Sequence, residues 1–261
     1  MNNPGIVQVL LSLVLVGVAI AIARWWKIPV EKEMAFGSVR SFVQLIAVGY
    51  ALKYIFELDS AILIILAIFI MITVGAFTIK SRIKKIDGAF LIAFTAIAVA
   101  SVATLGLMLL LRIIDWQARY VIPLAGMIIS NSMNAATLTM NRIASDVRTN
   151  RLAIETSLAL GKNWKVASRP YQREAVIAGM TSMLNFMKTV GIVALPGAMT
   201  GMILAGADPL SAVLLQIIVA YMLLSAATIS SIIGLYMTVK KFFTSCDQLV
   251  LRVNPEVKKP S

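Results

Sequence analysis

Seven long apolar segments dominate this sequence of 261 residues. A bilayer hydrocarbon core of about 30 Å requires roughly 20 apolar residues in a helix. Apolar residues make up 59% of the chain and charged residues 14%, whereas soluble domains are about half apolar and a quarter charged. These fractions exclude a globular domain with one core, and also a disordered chain. We predict an all-α polytopic membrane protein with one transmembrane domain, 1–261, and spans at about 5–23, 38–56, 60–79, 88–111, 119–141, 175–206 and 210–238.

The sixth segment, 175–206, is too long for one straight span. Its first half, 175–187, is expected to lie tilted or at the interface, and its second half, 190–206, to enter the membrane. A helix break is placed at Pro196 and Gly197, because proline removes a backbone donor. Lys188 stands between the two halves. Its ammonium group can snorkel to the headgroups or face a transport path, and the sequence leaves both readings open.

Basic residues are concentrated in alternate loops. The chain has 24 Lys and Arg against 12 Asp and Glu, a formal net charge of +12. Cytoplasmic loops of membrane proteins collect Lys and Arg. The basic loops after spans one, three and five, and the basic tail, are therefore placed in the cytoplasm. The N-terminus is then outside and the C-terminus cytoplasmic. The predicted number of spans, seven, is odd and therefore consistent with termini on opposite sides. Membrane lipid is the expected environment, and no nucleic-acid partner is needed to explain the charge.

The chain offers few ligands for a resident metal. Histidine is absent and Cys246 is the single cysteine. No disulfide within the chain and no zinc, haem or iron–sulfur site built from His or Cys is possible. Methionines near spans five and six are expected to fill the core. The sequence therefore assigns no residue as a metal ligand.

The longest loop, 142–173, contains a short predicted helix from Arg151 to Leu160. Asn150 is expected to cap its start, and Gly161 to take the left-handed conformation at its end. Arg151 and Glu155 are four residues apart and are expected to pair. A helix of this length is not stable alone in water, so it must dock. It packs either on this chain and its lipid or in a groove of a partner; its apolar contact area comes from Leu152, Leu158 and Ala159.

A polar stripe runs along span five at helical spacing. It comprises Ser130, Asn134, Thr137 and Asn141, with Asn131 beside it. Gln44 in span two and Ser225 in span seven are further polar positions. Small and hydroxyl residues pack membrane helices together, and the same residues could line a translocation path. Both interpretations stay open for this stripe.

Two groups of residues resemble known transport proteins. The run from Glu155 to Gly161 is similar to the EAA loop of ABC-transporter permeases, with Thr156 and Ser157 in place of its two alanines. A wider set resembles the FetB-type permease family over about 40–249: Ile122-Pro-Leu-Ala-Gly126-Met-Ile128, Lys188-Thr-Val-Gly191, Leu195-Pro-Gly197-x-Met-x-Gly201, Ala205-Gly-x-Asp-Pro209 and Met222-Leu-Leu-Ser225.

That family comprises bacterial proteins linked to iron export and membrane subunits of plant aluminium-tolerance transporters. The resemblance implies a permease subunit in the bacterial inner membrane that exports iron or another small solute. It implies ATP-driven transport by a homodimer with a separate ATPase. The ATPase would contact the short helix and its flank through Arg151, Leu152, Glu155, Leu158 and Gly161. The family has a similar Leu-Pro-Gly, which associates the break with transport.

The chain itself is expected not to be an enzyme. No G-x-x-x-x-G-K-[ST] sequence is present, so the phosphate cradle for ATP is missing. ATP and Mg²⁺ are therefore expected on the partner ATPase, with no cofactor in this chain. Two alternatives remain: an ion-coupled secondary transporter, although no span centre carries an acid of the kind that usually marks such proteins, and a membrane scaffold that transports nothing.

Overall fold

The computed structural model describes residues 6–83, 86–244 and 246–250. In these ranges the chain is all-helical, apart from two isolated bridge pairs, Val190 with Ala194 and Phe243 with Leu249. The helices are α1 (Ile6–Trp25), α2 (Glu31–Leu58), α3 (Ala61–Arg82), α4 (Ala89–Leu110), α5 (Ala118–Thr149), α6 (Arg151–Ala159), α7 (Trp164–Ala167), α8 (Arg169–Thr189), α9 (Gly197–Leu204) and α10 (Pro209–Lys240).

The chain divides into two compact units, Met1–Asp59 and Ser60–Ser261. The first unit contains α1 and α2, which pack against each other. The side chains of α2 are not buried within the described chain. The second unit contains the remaining helices. The single transmembrane domain stays a prediction.

The core of the second unit is built around α5 and α10, which pack on each other more extensively than any other pair of helices. Helices α3, α4 and α8 complete the bundle. Fully buried side chains such as Ile128 and Ile143 of α5 and Val239 of α10 fill its centre. Helices α3 and α4 also contact each other through aromatic side chains. Phe77 and Phe90 have ring centroids 4.6 Å apart.

Six described helices are long and apolar enough to cross a membrane: α1 (from Val7), α2, α3, α4, α5 and α10. They agree with six of the predicted spans. The sixth predicted span, 175–206, corresponds to α8, an irregular segment and α9, and it does not meet the same length and hydropathy limits in one helix.

The break in the predicted sixth span differs from the expectation. Helix α8 begins at Arg169 and continues to Thr189, and the irregular segment covers 190–196. Gly191 has φ +83° and its N–H donates to the Ala194 carbonyl at 3.0 Å. Pro196 and Gly197 begin α9 rather than interrupt a helix. The break is thus wider and earlier than predicted, because a left-handed glycine ends α8 before the proline is reached.

The predicted loop 142–173 is mostly helical. Helix α5 continues to Thr149, eight residues beyond its predicted end. Ile143 and Val147 on this extension are fully buried, while Arg142 and Asp146 on another face are paired at 2.8 Å. A charged but amphipathic stretch therefore remains helical because one face still packs on the bundle.

Helices α3, α5 and α10 end on the same side of the bundle, and α4 and α8 begin there. Arg82 and Thr149 line one cavity, and Lys241 lies 3.9 Å from the Cβ position that Gly88 would carry. We call this side the basic end, because Arg82, Arg148, Lys240 and Lys241 lie there. Helices α6 and α7 connect α5 to α8 at this end.

Candidate functional site

Helix α6 lies at the basic end and is held by one buried side chain. Ile154 is fully buried, and Leu158 packs partly against the same core. On the outer face Leu152 is 78% exposed, and Leu160, just past the helix, is 76% exposed. A short helix of this kind thus presents two uncovered leucines while a single isoleucine anchors it.

The local geometry of α6 confirms two of three expectations. Arg151 Nε donates to Glu155 Oε1 at 2.7 Å, and Gly161 has φ +82°. The expected Asn150 cap is wrong. Its side-chain amide donates backwards to the Asp146 carbonyl at 2.9 Å, so α6 has no side-chain cap. Asn150 instead closes the end of α5, because α6 follows that helix without a linker.

Helix α7 connects α6 to the end of α10. Asn163 caps it by accepting from the Val166 N–H at 3.0 Å. The Trp164 ring stacks on Phe243, with centroids 5.7 Å apart and planes at 25°. Ser168 then bonds Trp164 and Gln172, which joins α7 to α8. Helix α7 thus contacts α6, α8 and the residues that follow α10.

Helix α8 has two different faces. Ala175, Gly179 and Met183 are buried against α5 and α10. On the other side, Thr181, Asn185 and Lys188 follow at spacings of four and three and are exposed. Exposed apolar side chains, Ile177 and Leu184, lie beside them on the same side, and Lys188 can snorkel to the headgroups. The polar side chains are therefore compatible with water, another protein surface or the headgroup region beside them.

The buried face of α8 crosses α5 and α10 at Gly179 with almost no space. A Cβ there would lie 2.7 Å from the Ala135 carbonyl oxygen and 3.0 Å from Ser231 Oγ, and would collide with Thr139 Oγ1. Both hydroxyl groups are buried and lack a hydrogen-bond partner in the described chain. Only a glycine allows α8 to approach the two helices this closely.

The predicted stripe on α5 is partly exposed and partly buried. Ser130, Asn134 and Asn141 are exposed, and Asn131 is half-buried with its amide donating to the Met127 carbonyl at 3.0 Å. Thr137 is buried and donates to the Met133 carbonyl at 2.6 Å. Four of the five residues thus keep an accessible side chain, while Thr137 satisfies its hydroxyl within its own helix.

The remaining predicted path residues lie on separate helices. Ser225 of α10 is exposed, and Thr228 one turn later donates to the Met180 sulfur of α8 at 3.8 Å. Gln44 of α2 is exposed in the first unit. The described residues contain no group of three His, Cys, Asp or Glu side chains that could hold a metal ion, and none was assigned from the sequence.

Comparison with known proteins assigns the chain to a family. Its residues 6–243 match the model described as "Uncharacterised protein family (UPF0014)". The chain belongs to the UPF0014 family. The predicted resemblance to FetB-type permeases is thereby confirmed, because a FetB protein is among the relatives. No solved structure matches this UPF0014 chain.

Three UPF0014 relatives cover most of the chain. "Probable iron export permease protein FetB" of Escherichia coli (strain K12) is 41% identical over 92% of this chain and 93% of its own length. "UPF0014 membrane protein STAR2" of Oryza sativa subsp. japonica is 36% identical over 94% and 86%. "Protein ALUMINUM SENSITIVE 3" of Arabidopsis thaliana is 36% identical over 95% and 91%. The chain is thus a membrane protein similar to these proteins over almost its whole length.

The structure of this UPF0014 protein adds residues that sequence reasoning missed. Ile154 anchors α6, Trp164 and Phe243 connect α7 to α10, and Gly179 sets the crossing of α8. A tryptophan in a basic loop was a usable signal, since such a ring needs a packing partner. Nothing in the sequence near Gly179 distinguishes it from the other glycines of the apolar segments.

Proposed function

We propose that this UPF0014 protein is the permease subunit of an ABC transporter, driven by a separately encoded ATPase that docks on α6. The observation that carries the proposal is a pair of exposed leucines, Leu152 on α6 and Leu160 directly after it, at a short helix whose only fully buried residue is Ile154. An exposed apolar helix face of this kind fits a groove in a partner. The relative named as an iron export permease supports the transport function.

The membrane arrangement in this proposal has seven crossings. The basic end faces the cytoplasm, because Lys and Arg collect on that side of membrane proteins. Helices α5 and α10 both end there, so the chain between them must return to the other side. Helix α8, the segment 190–196 and α9 together make that crossing. The N-terminus is then outside, the C-terminus is cytoplasmic, and the protein resides in the bacterial inner membrane.

The path in this proposal runs along the polar arc of α8. Thr181, Asn185 and Lys188 face away from α5 and α10, and the irregular backbone of 190–196 follows them directly. Non-helical backbone at membrane depth is tolerated where it is covered by protein or lines a water-filled cavity. A second copy of the chain would enclose this water. ATP binding would draw the α6 helices of the two copies together and move α8.

The substrate in this proposal is iron or another metal or small solute, moved outwards. The support is the similarity to the Escherichia coli protein named as a probable iron export permease. ATP and Mg²⁺ act on the ATPase, so the chain itself is not an enzyme. Reconstitution with that ATPase, followed by measurement of which solutes stimulate hydrolysis and appear across the vesicle membrane, tests the substrate. Flux without ATP would favour a secondary transporter, and no flux a scaffold.

The docking experiment uses the double change Leu152→Ala with Leu160→Ala. Burying a leucine contributes about 1.5–3 kcal/mol, so losing two weakens the complex by about 100-fold or more. We expect loss of ATPase co-purification and of ATP-driven flux. The matched control is Leu110→Ala, a leucine 79% exposed at the end of α4 that is away from the basic end. Normal co-purification of the double variant would refute the docking assignment.

Two further changes test coupling rather than binding. Glu155→Ala removes the carboxylate that pairs with Arg151, and Gly161→Ala strains the left-handed end of the segment. Both are expected to leave membrane insertion intact while ATP hydrolysis no longer drives transport. Orientation has its own assay: Cys246 is exposed at the basic end, so an impermeant maleimide should label it only after the cells are opened.

A further inference from the structure

A cavity of about 530 Å³ lies at the basic end between the last turns of α3 and α5. Ile83 and Ala144 are buried and form its apolar part. The polar side chains that line it are Arg82, Asn141, Ser145, Arg148 and Thr149. Among the described residues, the lining thus has two guanidinium groups and three neutral polar groups, and no carboxylate.

The polar lining is supplied mainly by one face of α5. Asn141, Ser145 and Arg148 follow at spacings of four and three, which places them on the same side of the helix. The nearest carboxylate on this helix, Asp146, is on another face and accepts from Arg142 Nε at 2.8 Å. The positive charge of the cavity is therefore not cancelled by that acid.

Both helices end at this cavity, and the C-terminal end of a helix carries a partial negative charge. An anion there must be bound by side chains and not by backbone. Arginine suits that task, because its planar guanidinium donates two parallel hydrogen bonds to phosphate oxygens. The hydroxyl groups of Ser145 and Thr149 and the amide of Asn141 supply further donors.

Two other cavities at the same end have a different chemistry. One of about 200 Å³ is lined by Asp87 as well as Lys240 and Lys241, so its charge is partly balanced. Another of about 360 Å³ is lined by Lys165, Arg169 and Gln172 together with the aromatic rings of Trp164 and Tyr236. The cavity between α3 and α5 differs from both, because its described lining combines two guanidinium groups with hydroxyl and amide donors and has neither an acid nor an aromatic ring.

We propose that this cavity binds a phosphate group, supplied by the headgroup of an anionic membrane lipid. Basic pockets between helices on the cytoplasmic side of membrane proteins take such headgroups, and the basic end is the side that we place there. Free inorganic phosphate has the same chemistry and is the other source. A bound headgroup would join the end of α3 to the last turn of α5, directly before α6. The proposal does not require the protein to transport anything.

The experiment is a native mass spectrometry titration of the purified, detergent-solubilised full chain. The probes are phosphatidylglycerol, zwitterionic phosphatidylcholine and inorganic phosphate. Each basic side chain near an anionic lipid contributes a factor of about five in affinity. We therefore expect R82Q with R148Q to weaken phosphatidylglycerol binding about 30-fold. The control R173Q removes an exposed arginine of α8 outside the cavity and should have little effect.

A second variant keeps the test valid if the arginine changes disturb folding. Ser145→Phe fills the cavity without changing charge and should abolish the same binding. Tight phosphatidylglycerol binding that both variants lose supports the lipid source, and tight binding of inorganic phosphate alone supports the free anion. Equal binding of phosphatidylglycerol and phosphatidylcholine without phosphate binding would overturn the proposal. An equal loss in the R173Q control would also overturn it, because general surface charge would then account for the affinity.

Discussion

The two parts of the predicted sixth span differ sharply in packing. At Gly179, α8 meets the Ala135 carbonyl and the hydroxyl groups of Thr139 and Ser231 with no space for a methyl group. Beyond Thr189 the chain is irregular, and Ile192 and Val193 are 88% and 79% exposed. Gly197 and Gly201 have no neighbouring atom within 4 Å of a Cβ position. The first part of the segment is fixed by close contacts, whereas 190–196 is irregular and exposed and α9 packs on α10 with space left at its glycines.

This difference indicates where the segment can change conformation. A packed crossing moves as a rigid body, because close-packed interiors do not deform continuously. The irregular part has few contacts to lose and can change its backbone angles at little cost. A force applied at α6 and α7 would therefore shift α8 as a unit, and the adjustment would occur in 190–204.

The largest expected effect on the global stability of the protein comes from Gly179→Ala. The new methyl group would lie 2.7 Å from the Ala135 carbonyl oxygen, and backbone cannot move aside as a flexible side chain can. Overpacking a core costs about 1–3 kcal/mol, and we expect the upper end of that range. The measurement is thermal unfolding of the purified protein, together with the yield of monodisperse protein.

Gly201→Ala in α9 is the matched control. It adds the same methyl group where nothing lies within 4 Å, and alanine is favoured over glycine in a helix interior by about 0.5–1 kcal/mol. We expect unchanged or slightly raised stability. If both variants unfolded at the same temperature, the contrast between the packed crossing and the open segment would be wrong.

Six of the seven predicted spans agree with long apolar helices of the structure, because hydropathy indicates where a helix can cross a bilayer. The extension of α5 was not predicted, because its high proportion of charged residues is typical of a loop. Ile143 and Val147, four apart and both buried, carry the helical period that indicates it. The contacts at Gly179 and between Trp164 and Phe243 join residues far apart in sequence. No local pattern in one sequence contains them.

The sequence also could not predict which side of α6 packs on the bundle and which side is exposed. The sequence offered Leu152 and Leu158 as its contact residues. In the structure Ile154 is buried and Leu152 is exposed. Nine residues contain too few turns for periodicity to decide which apolar side packs on the bundle and which side is left for a partner.

The second prediction compares the buried residue of α6, Ile154, with the exposed residue Leu152. Ile154→Ala removes a fully buried side chain, and such truncations cost about 2–5 kcal/mol. Here the loss should be local, because α6 is too short to stay helical without its anchor. Hydrogen exchange of the amides of 151–159 measures it, and we expect protection to disappear.

Leu152→Ala should leave those amides protected, since the leucine is 78% exposed. Binding of the proposed ATPase should weaken instead. Should Leu152→Ala remove protection as fully as Ile154→Ala does, the leucine would be part of the packing and not of a free docking face.

The third prediction concerns water along α8. In a Cys246→Ser background, Asn185→Cys should react with maleimide, whereas Val102→Cys in the middle of α4 should not. The reactive species is the thiolate, and each unit by which apolar surroundings raise the thiol pKa lowers the rate about tenfold. Labelling rates in membranes are compared. Equal rates at the two positions would exclude a water-lined α8.

The smallest expected effect is that of Arg151→Gln. The side chains of the pair Arg151–Glu155 are 59% and 39% exposed, and exposed pairs at this spacing contribute about 0.3–0.5 kcal/mol. The order also matters, since an acidic residue preceding the basic one is the more favourable arrangement, and here the arginine comes first. We expect a loss of stability at or below that range, which disappears when high salt screens the pair.

Arg142→Gln supplies the comparison within the same region. Asp146, its partner at 2.8 Å, is only 15% exposed, so removing the arginine leaves a mostly covered carboxylate without that bond, and we expect a larger loss of stability than at Arg151. Thermal unfolding at low and high salt measures both variants. A larger loss of stability from Arg151→Gln than from Arg142→Gln would contradict this picture. It would mean that the Arg151–Glu155 ion pair, and not the burial of Ile154, holds α6 in place.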